Sequence, residues 1–209
     1  MMTGKFDIDS KEFNLEECMA QAQQGNPDAQ ASIAACYIDG KHGLNKDKSQ
    51  AFQWYQKAAN AGNADGMIFL GLCYGEGAGV EQDDCQAYEW YRKAAEAGNA
   101  LGMLLLGECY GLGIGVKQDE IKSYEWYRKS AEAGDVTGMF LLGECYEEGK
   151  GVEQDEIQAY EWYSRSAEAG NEWGMYLLSE CYANGTGVEM DEFQAQYWKQ
   201  RAIEAGWEE

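Results

Sequence analysis

Residues 99–134 read NALGMLLLGECYGLGIGVKQDEIKSYEWYRKSAEAG, and near-copies of this stretch fill most of the 209-residue chain. The Cys-Tyr pair inside it recurs every 36 residues, except that 37 residues separate the first two pairs, so one residue is inserted in the first copy. The five pairs are Cys36-Tyr37, Cys73-Tyr74, Cys109-Tyr110, Cys145-Tyr146 and Cys181-Tyr182. A strict period of this length is typical of a stacked repeat array, in which each unit buries its face only against its neighbours. Such arrays present surfaces and seldom catalyse reactions.

Each copy predicts two helices joined by a glycine-rich turn. In the third copy Asn99 is expected to cap a first helix that runs to about Gly111. After the turn, Asp119 is expected to begin a second helix that ends at Ala133, with Gly134 just beyond the end. The aspartate recurs in every copy, and in four copies a glutamine follows three residues later, which predicts a reciprocal capping box. These glutamines are Gln50, Gln86, Gln158 and Gln194.

Small and aromatic residues share the helix faces at the repeat period. A small residue two positions before the Cys-Tyr pair is expected to let a neighbouring helix approach closely. It is glycine at Gly71, Gly107 and Gly143, and serine at Ser179. The second helix carries the aromatic side chains that would enter such a groove, and the repeated cysteines and methionines are expected to fill the core.

Glutamate and a basic residue four positions later recur on the second helices. These pairs predict ion pairs on an exposed helix surface, each worth about 0.2–0.5 kcal/mol, and they require no binding role. The pairs are Glu89 with Lys93, Glu125 with Lys129, and Glu161 with Arg165.

The chain is strongly acidic, and its charge is uneven. Its formal charge is −21, from 16 basic and 37 acidic residues. Residues 1–65 hold 6 basic and 9 acidic residues, residues 66–137 hold 6 and 12, and residues 138–209 hold 4 and 16. Nucleic acids and anionic membranes are polyanions, so we expect neither as a partner. A basic protein is the expected partner, because opposite charge speeds encounter.

The cysteines and the N-terminal residues indicate a reducing compartment. Met1 to Phe13 has no apolar segment typical of a signal peptide, and no apolar run reaches the length of a membrane span. We therefore expect a cytoplasmic protein whose seven cysteines are reduced. Cys18 and Cys85 lie outside the repeat register and are candidates for reactivity. The remaining five hold one repeat position and are expected to be structural.

Enzymatic interpretations lack the residues they need. The single histidine, His42, lies in a glycine-flanked turn with no nucleophile or metal partner beside it in sequence. The glycine-rich turns lack the preceding strand and the lysine of a phosphate loop. Asp7-Ile8-Asp9-Ser10 lacks the glycine and the final glutamate of a calcium loop. We expect no enzyme activity, no cofactor and no metal.

The repeat resembles a known family. Many positions of the second copy match the Sel-1-like repeat pattern, a relative of tetratricopeptide repeats. They are Leu70-Gly71, Tyr74, Gly77, Gly79-Val80, Asp83, Ala87, Trp90-Tyr91, Lys93-Ala94-Ala95 and Gly98. The resemblance covers Asn26 to Gly206. It implies an all-α fold, a right-handed α-solenoid of five helix-turn-helix repeats that scaffolds protein complexes.

Two departures from the family pattern matter. An alanine of the family is glycine in four copies here, at Gly66, Gly102, Gly138 and Gly174. The second cysteine per repeat that forms disulfides in some exported members is absent, which favours a reducing compartment. We expect an N-terminal capping segment at 1–25, repeats at 26–62, 63–98, 99–134, 135–170 and 171–206, and a short C-terminal tail. Lys199, where other copies have tyrosine, is expected in a terminal unit that faces water.

The resemblance to tetratricopeptide-like stacks implies that first helices line a concave surface. The candidate partner-binding residues on it are Leu101, Leu104, Glu108, Phe140, Glu144, Glu147, Glu148, Trp173, Tyr176 and Glu180, and Ile68, Leu72, Leu112 and Asn184 hold related positions. Together they predict a groove of apolar anchors beside carboxylates, suited to a basic, partly apolar protein segment. An alternative is that Leu104 and Phe140 pack between repeats. Reversing the charges of Glu144 and Glu180 is expected to weaken partner binding.

Three functions remain open on the sequence. The sharpest is an inhibitor or immunity protein that covers the basic surface of a toxic enzyme such as a nuclease. The alternative is an adaptor, a scaffold or an effector chaperone in a bacterial signalling or secretion complex. An engineered array without a partner is the third, although the irregular first repeat and residues such as Thr137 and Trp173 favour a natural origin.

Overall fold

The computed structural model describes residues 7–10 and 13–208, which form eleven α-helices and no strand. The helices are α1 Leu15–Gln23, α2 Pro27–Asp39, α3 Lys48–Asn60, α4 Ala64–Glu76, α5 Asp84–Glu96, α6 Ala100–Leu112, α7 Glu120–Glu132, α8 Val136–Glu148, α9 Glu156–Glu168, α10 Glu172–Asn184 and α11 Glu192–Ala205. The all-α helical-repeat fold predicted from the sequence is confirmed. Among the described residues, no helix has both the length and the apolar character needed to cross a membrane.

The chain divides into two compact units. The first comprises Met1–Gly102 with Ile114–Val116, and the second comprises Met103–Gly113 with Lys117–Glu209. In the first unit, each helix from α1 to α5 packs against the next one in the chain. In the second unit the same holds from α7 to α11. Consecutive helices therefore supply the contacts that bury each unit's core.

The aspartate that begins each second helix makes two bonds. In the third copy the Asp119 carboxylate accepts the backbone N–H of Lys122 at 3.1 Å, which caps α7 as predicted. Its own backbone N–H donates to the carbonyl of Tyr110 at 2.9 Å. The other copies repeat this bond at 2.9–3.0 Å, from Asp47 to Tyr37, Asp83 to Tyr74, Asp155 to Tyr146 and Asp191 to Tyr182. The predicted reciprocal bond, in which the glutamine side chain would accept the aspartate N–H, is therefore wrong. That N–H donates instead to a tyrosine carbonyl of the first helix and so links the two helices.

A tyrosine ring lies against a helix backbone within three repeats. A Cβ at Gly71 would lie 2.5 Å from the Tyr91 ring. The distances at the equivalent positions are 2.6 Å for Gly107 and Tyr127, and 2.5 Å for Gly143 and Tyr163. The prediction that a small residue admits a neighbouring element is confirmed, and the element is this ring. In the last copy, where Lys199 replaces the tyrosine, Ser179 occupies the glycine position.

A second set of close approaches joins successive repeats. In the first unit, a Cβ at Gly66 would lie 2.8 Å from the Cβ of Ala58, on the preceding second helix. In the second unit, a Cβ at Gly174 would lie 2.7 Å from the Ser166 hydroxyl oxygen. Glycine in place of the family alanine therefore brings the backbones of adjacent repeats together.

Aromatic pairs also bridge successive repeats. Tyr124 and Tyr146 meet edge to face at 5.7 Å between ring centroids, and their hydroxyl oxygens lie 3.0 Å apart. Tyr160 and Tyr182 repeat this geometry, with the hydroxyl oxygens 2.9 Å apart. In this arrangement each ring contributes burial and its polar tip finds a partner.

The predicted Glu–Lys ion pairs on the second helices are wrong within the part of the chain that the structure describes. The basic residues instead stand over the tryptophan three positions earlier. Nitrogen-to-centroid distances are 4.0 Å for Lys57 over Trp54, 3.7 Å for Lys93 over Trp90 and 3.8 Å for Lys129 over Trp126. Such a contact is worth about 0.5–1 kcal/mol at an exposed site, and the lysine stem also covers indole surface. An exposed ion pair contributes only about 0–1 kcal/mol to the free energy of unfolding.

The two chain ends are covered by different residues. At the N-terminal end, Cys18 and Ala22 of α1 pack on Ala29 and Ile33 of α2. At the C-terminal end, Trp207 stacks on Tyr176 with 4.2 Å between centroids, and Trp207 is only 8% exposed.

The seven cysteines carry free thiols, and the five in the repeat register are buried, which confirms their predicted place in the core. Burial raises the pKa of Cys18 to about 11, with Cys36 and Glu17 adding to the shift. A buried thiol of raised pKa is a poor nucleophile, so Cys18 is not a reactive cysteine. Cys85 is exposed.

Two glycines of α4 give a matched test of the tyrosine contact. Gly71→Ala is expected to lower the free energy of unfolding by about 1–3 kcal/mol, because the new methyl group overlaps the Tyr91 ring. Gly75→Ala is expected to raise it by up to about 1 kcal/mol, because alanine favours helix and its Cβ would have 3.8 Å of clearance. Urea unfolding of both variants measures the difference, and equal shifts would contradict the account.

Candidate functional site

Three glutamates recur at the repeat period on the first helices of the second unit. Glu108 lies on α6, Glu144 on α8 and Glu180 on α10, and each directly precedes the buried cysteine of its copy. Because adjacent helix positions differ by about 100°, the cysteine faces the core and the glutamate lies at the margin of the helix pair. All three side chains are half-buried.

Burial disfavours the charge of two of these carboxylates. Burial raises the pKa of Glu108, and the nearby charge of Asp135 raises it further. Burial also raises the pKa of Glu144, with Glu148 adding to the shift and Lys150 opposing it. Within the described residues, none of the three glutamates forms an ion pair. The row therefore holds carboxylates that have lost water without gaining a cation.

Tyrosines of the second helices lie between these carboxylates. Burial is the main cause that raises the pKa of Tyr127 to about 12, and the negative charges of Glu108 and Glu144 add to the shift. The Tyr127 hydroxyl therefore stays protonated at neutral pH. Tyr163 donates its hydroxyl hydrogen to the Glu147 carboxylate at 2.7 Å, and burial raises its pKa. Two tyrosine hydroxyl groups thus lie near carboxylates in this part of the second unit.

A cavity of about 260 Å³ opens beside Glu144. It lies among the C-terminal end of α6, the first half of α7 and the α8 helix. Its lining residues are Gly111, Leu112, Gln118, Glu120, Ser123, Tyr127, Leu141, Glu144, Cys145 and Lys150. Burial raises the pKa of Cys145 to about 12, so its thiol serves as an inert wall.

The apolar candidates from the sequence differ in exposure. Leu101 is 42% exposed and belongs to the first unit, whereas Trp173 is 50% exposed and belongs to the second. Leu104 is only 6% exposed and fills the core, so it does not line a groove. Phe140 is half-buried with its ring centroid 6.4 Å from that of Tyr163, and Tyr176 lies under Trp207. Among Leu104, Phe140, Trp173 and Tyr176, Trp173 is therefore the most exposed.

The remaining acidic candidates already have partners. Glu147 accepts the hydrogen bond from Tyr163, and the exposed Glu148 forms an ion pair with Lys150. Among the acidic candidates, Glu108, Glu144 and Glu180 are thus the ones whose carboxylates form neither an ion pair nor a side-chain hydrogen bond within the described residues and can accept one from a binding partner.

His42 lies in an exposed turn and contacts residues of the N-terminal segment. Its Nε2 lies 2.8 Å from the carbonyl oxygen of Ile8, and its ring lies 4.4 Å from the Phe13 ring. Lys41 beside it forms an ion pair with Asp9 at 2.7 Å. Among residues 7–10 and 13–208, no group of three or more His, Cys, Asp or Glu side chains is arranged to hold a metal ion.

The sequence predicted Glu144, but two other residues that shape the cavity, Ser123 and Gly111, were not predicted. Ser123 stands where the other copies have alanine, and Gly111 stands where the fourth copy has Glu147. Comparing the copies position by position would have found both substitutions. The role of Trp207 lies outside the repeat pattern, so no such comparison reveals it.

The helix pairs and their repeated surface define a helical-repeat protein of the kind that binds other proteins. The Sel1 repeat family matches residues 27–63, 64–99, 100–135, 136–171 and 174–207. The chain belongs to the Sel1 repeat family, whose repeats mediate protein–protein interactions and are not typically enzymatic.

Solved structures share this fold. A Sel1 repeat protein from Oxalobacter formigenes is 35% identical, with a TM-score of 0.85 over 92% of this chain and 76% of that one. Immunity protein Pa5087 from Pseudomonas aeruginosa is 21% identical, with a TM-score of 0.61 over 91% of this chain and 73% of that one. The likeness to Pa5087 shows the fold alone.

One curated relative matches a short part of the chain. The ERAD-associated E3 ubiquitin-protein ligase component HRD3A of Arabidopsis thaliana is 41% identical over 59 residues. The match spans 28% of this chain and 9% of that protein.

Neutralising Glu144 is expected to stabilise the free protein at neutral pH. Because the folded state raises the pKa of Glu144, it binds a proton more tightly than the unfolded chain does. Stability therefore falls as pH rises from the ordinary glutamate pKa through the raised folded value. Glu144→Gln is expected to raise the urea midpoint at pH 7, and the gain should vanish below about pH 3.5, where both states are protonated.

The control for this experiment is Glu125→Gln, on an exposed position of α7. It removes the same charge from the same unit without removing a buried carboxylate. An equal gain from both variants, or a Glu144→Gln gain that does not depend on pH, would show that burial of Glu144 is not the cause.

Proposed function

We propose that the row formed by Glu108, Glu144 and Glu180 binds a basic segment of a partner protein. The observation that carries this proposal is that these half-buried carboxylates recur at the repeat period without ion pairs. The unfavourable burial of charge at Glu108 and Glu144 is offset once a cation of the partner lies beside them. Binding thus gains an interaction that the free protein lacks.

The charge distribution supports a basic partner. Residues 138–209, all in the second unit, hold 16 acidic and 4 basic residues. An acidic surface of this density attracts a basic protein over a distance of about 8–10 Å at physiological salt and speeds association. It repels nucleic acids and anionic membranes, which supports a protein as the partner.

Exposed apolar side chains in the same unit supply anchors. Trp173 on α10 is half exposed, and Leu112 at the end of α6 is 72% exposed. Tryptophan is enriched among the residues that contribute most to protein interfaces. Charge and anchors together suit a segment that alternates basic and apolar residues.

The form of this function that we favour is an inhibitor or immunity protein, acting in the cytoplasm on an enzyme with a basic surface. An acidic cover over a basic active site combines fast association with exclusion of a polyanionic substrate. Pa5087 is an immunity protein with this fold, so the fold is compatible with the role. The free thiols are consistent with a reducing compartment.

A scaffold or effector chaperone is the second candidate, and a different surface favours it. Ile121, Ile157 and Phe193 hold one repeat position in the first turns of α7, α9 and α11, and all three are exposed. The affinity of a partner that covers these apolar residues would depend little on salt concentration. The affinity of a partner that binds the glutamate row would fall as salt concentration rises, because salt screens charges.

Affinity capture with matched variants tests the proposal. A partner retained by the wild-type chain is expected to be lost with Glu144→Gln plus Glu180→Gln, because the row loses two charges. It should be kept by Glu125→Gln plus Glu161→Gln, which removes the same charge from exposed positions of α7 and α9. For a purified partner, the association rate should fall roughly tenfold or more from low to high salt.

Equal retention by both double variants would reject the glutamate row as the binding site. A salt-resistant set of several proteins, kept by both variants, would favour the scaffold. A single basic enzyme lost at high salt would support the inhibitor and supply an activity to assay.

A further inference from the structure

The cavity beside Glu144 lies where the third copy lacks a side chain that the fourth copy has, and a second substitution adds a hydroxyl group to its lining. In the fourth copy Glu147 occupies the end of the first helix, and its carboxylate accepts the Tyr163 hydroxyl hydrogen at 2.7 Å. The equivalent residue of the third copy is Gly111, which has no side chain. Ser123 carries a hydroxyl group where the other copies have only the methyl group of alanine, and this hydroxyl donates to the Gly107 carbonyl at 2.8 Å. The space that a glutamate fills one repeat later is therefore open.

The lining has one apolar wall and several acceptors. Leu112, Leu141 and Cys145 form the wall. The acceptors are the carboxylates of Glu120 and Glu144 and the hydroxyl groups of Ser123 and Tyr127. A volume of about 260 Å³ is below the roughly 300–1,000 Å³ of sites for drug-sized ligands, and it is suited to one long side chain.

The charges of the lining favour a cation. The ammonium group of Lys150 is the positive charge among the lining residues, and it is already ion-paired with Glu148. Glu120 and Glu144 have no such partner within the described residues. An anionic side chain would face two carboxylates, whereas a cationic one would relieve the unfavourable burial of Glu144.

We propose that this cavity is a socket for one arginine side chain of the partner protein. The proposal rests on the proposed function, because it takes the partner to be basic and assigns one residue of it to one place. The arginine stem lies along Leu112 and Leu141, and the guanidinium group reaches Glu144 and the hydroxyl groups at the floor. Arginine fits better than lysine because its planar group offers five donors to several fixed acceptors and is less strongly hydrated.

Peptide titrations of the full chain, followed by NMR, test the socket. The probe is acetyl-Gly-Arg-Gly-amide, compared with the same peptide carrying lysine, neutral citrulline or glutamate. The arginine peptide is expected to shift the Leu141 methyl signals and the Gly111 and Ser123 amide signals. The lysine peptide should bind more weakly, and the citrulline and glutamate peptides should leave these signals unchanged.

Rebuilding the third copy in the form of the fourth closes the socket. The variant is Gly111→Glu plus Ser123→Ala, because a Cβ at Gly111 would lie 2.9 Å from the Ser123 hydroxyl oxygen. Its new glutamate is expected to accept from Tyr127 as Glu147 does from Tyr163. We expect it to weaken arginine-peptide binding about tenfold or more. Circular dichroism and urea unfolding check that the variant folds.

This variant separates the socket from the glutamate row. It adds a negative charge to the surface, so attraction to a basic partner by charge alone predicts equal or tighter binding. Unchanged affinity, equal binding of the citrulline peptide, or no shift at Leu141 would overturn the socket and leave the basic-partner proposal standing. If closing the socket weakens arginine binding while Glu108→Gln plus Glu180→Gln, which removes the two row carboxylates outside the cavity lining, leaves partner capture unchanged, the socket stands and the proposed role of the row falls.

Discussion

The packing of the two helices within a repeat depends on one contact, in which a tyrosine ring of the second helix lies against a glycine of the first helix. The rings of Tyr91, Tyr127 and Tyr163 lie where a Cβ of the facing glycine would be, 2.5–2.6 Å from a ring carbon. Because protein interiors are packed as densely as crystals, this contact fixes the spacing of the two helices and leaves little freedom elsewhere in the repeat. The last copy, with Lys199, has no ring, and its surface is covered instead by Trp207 on Tyr176.

The fold was predictable from the sequence because most of its signals are local and are repeated. Asparagine and aspartate caps, helix lengths and the small residue that faces the ring follow from chemistry within a few positions. The errors occurred where two partners compete for one group. The N–H of Asp83 had the Gln86 side chain and the Tyr74 backbone carbonyl as candidate acceptors, and Lys93 had a glutamate and an indole ring within reach. The sequence left Leu104 open between the groove and the core, because its burial depends on contacts that the period alone does not specify.

The candidate site was predictable only in part, for a related reason. Glu108, Glu144 and Glu180 are visible as a periodic row, but their half-burial depends on the helices packed around them. The cavity is lined by Gly111, which lacks the side chain that Glu147 has in the fourth copy, and by Ser123, which has a hydroxyl group where the other copies have alanine. A consensus of the five repeats averages out both differences, so it does not reveal the cavity. In the proposed function, the repeat supplies the scaffold and the departures from it supply the specificity. Buried carboxylates that lower the free energy of unfolding of the free protein are typical of binding sites, where stability is lost in favour of function.

Carbon-13 NMR titration of the side-chain carboxyl groups of the full chain tests the central claim most directly. The account predicts that Glu108 and Glu144 titrate above the ordinary glutamate pKa, because burial opposes their charge. It also predicts that a bound arginine peptide lowers the pKa of Glu144, since the guanidinium stabilises the carboxylate. An ordinary pKa for both groups in the free protein, or a Glu144 pKa that does not change when the peptide binds, would contradict it.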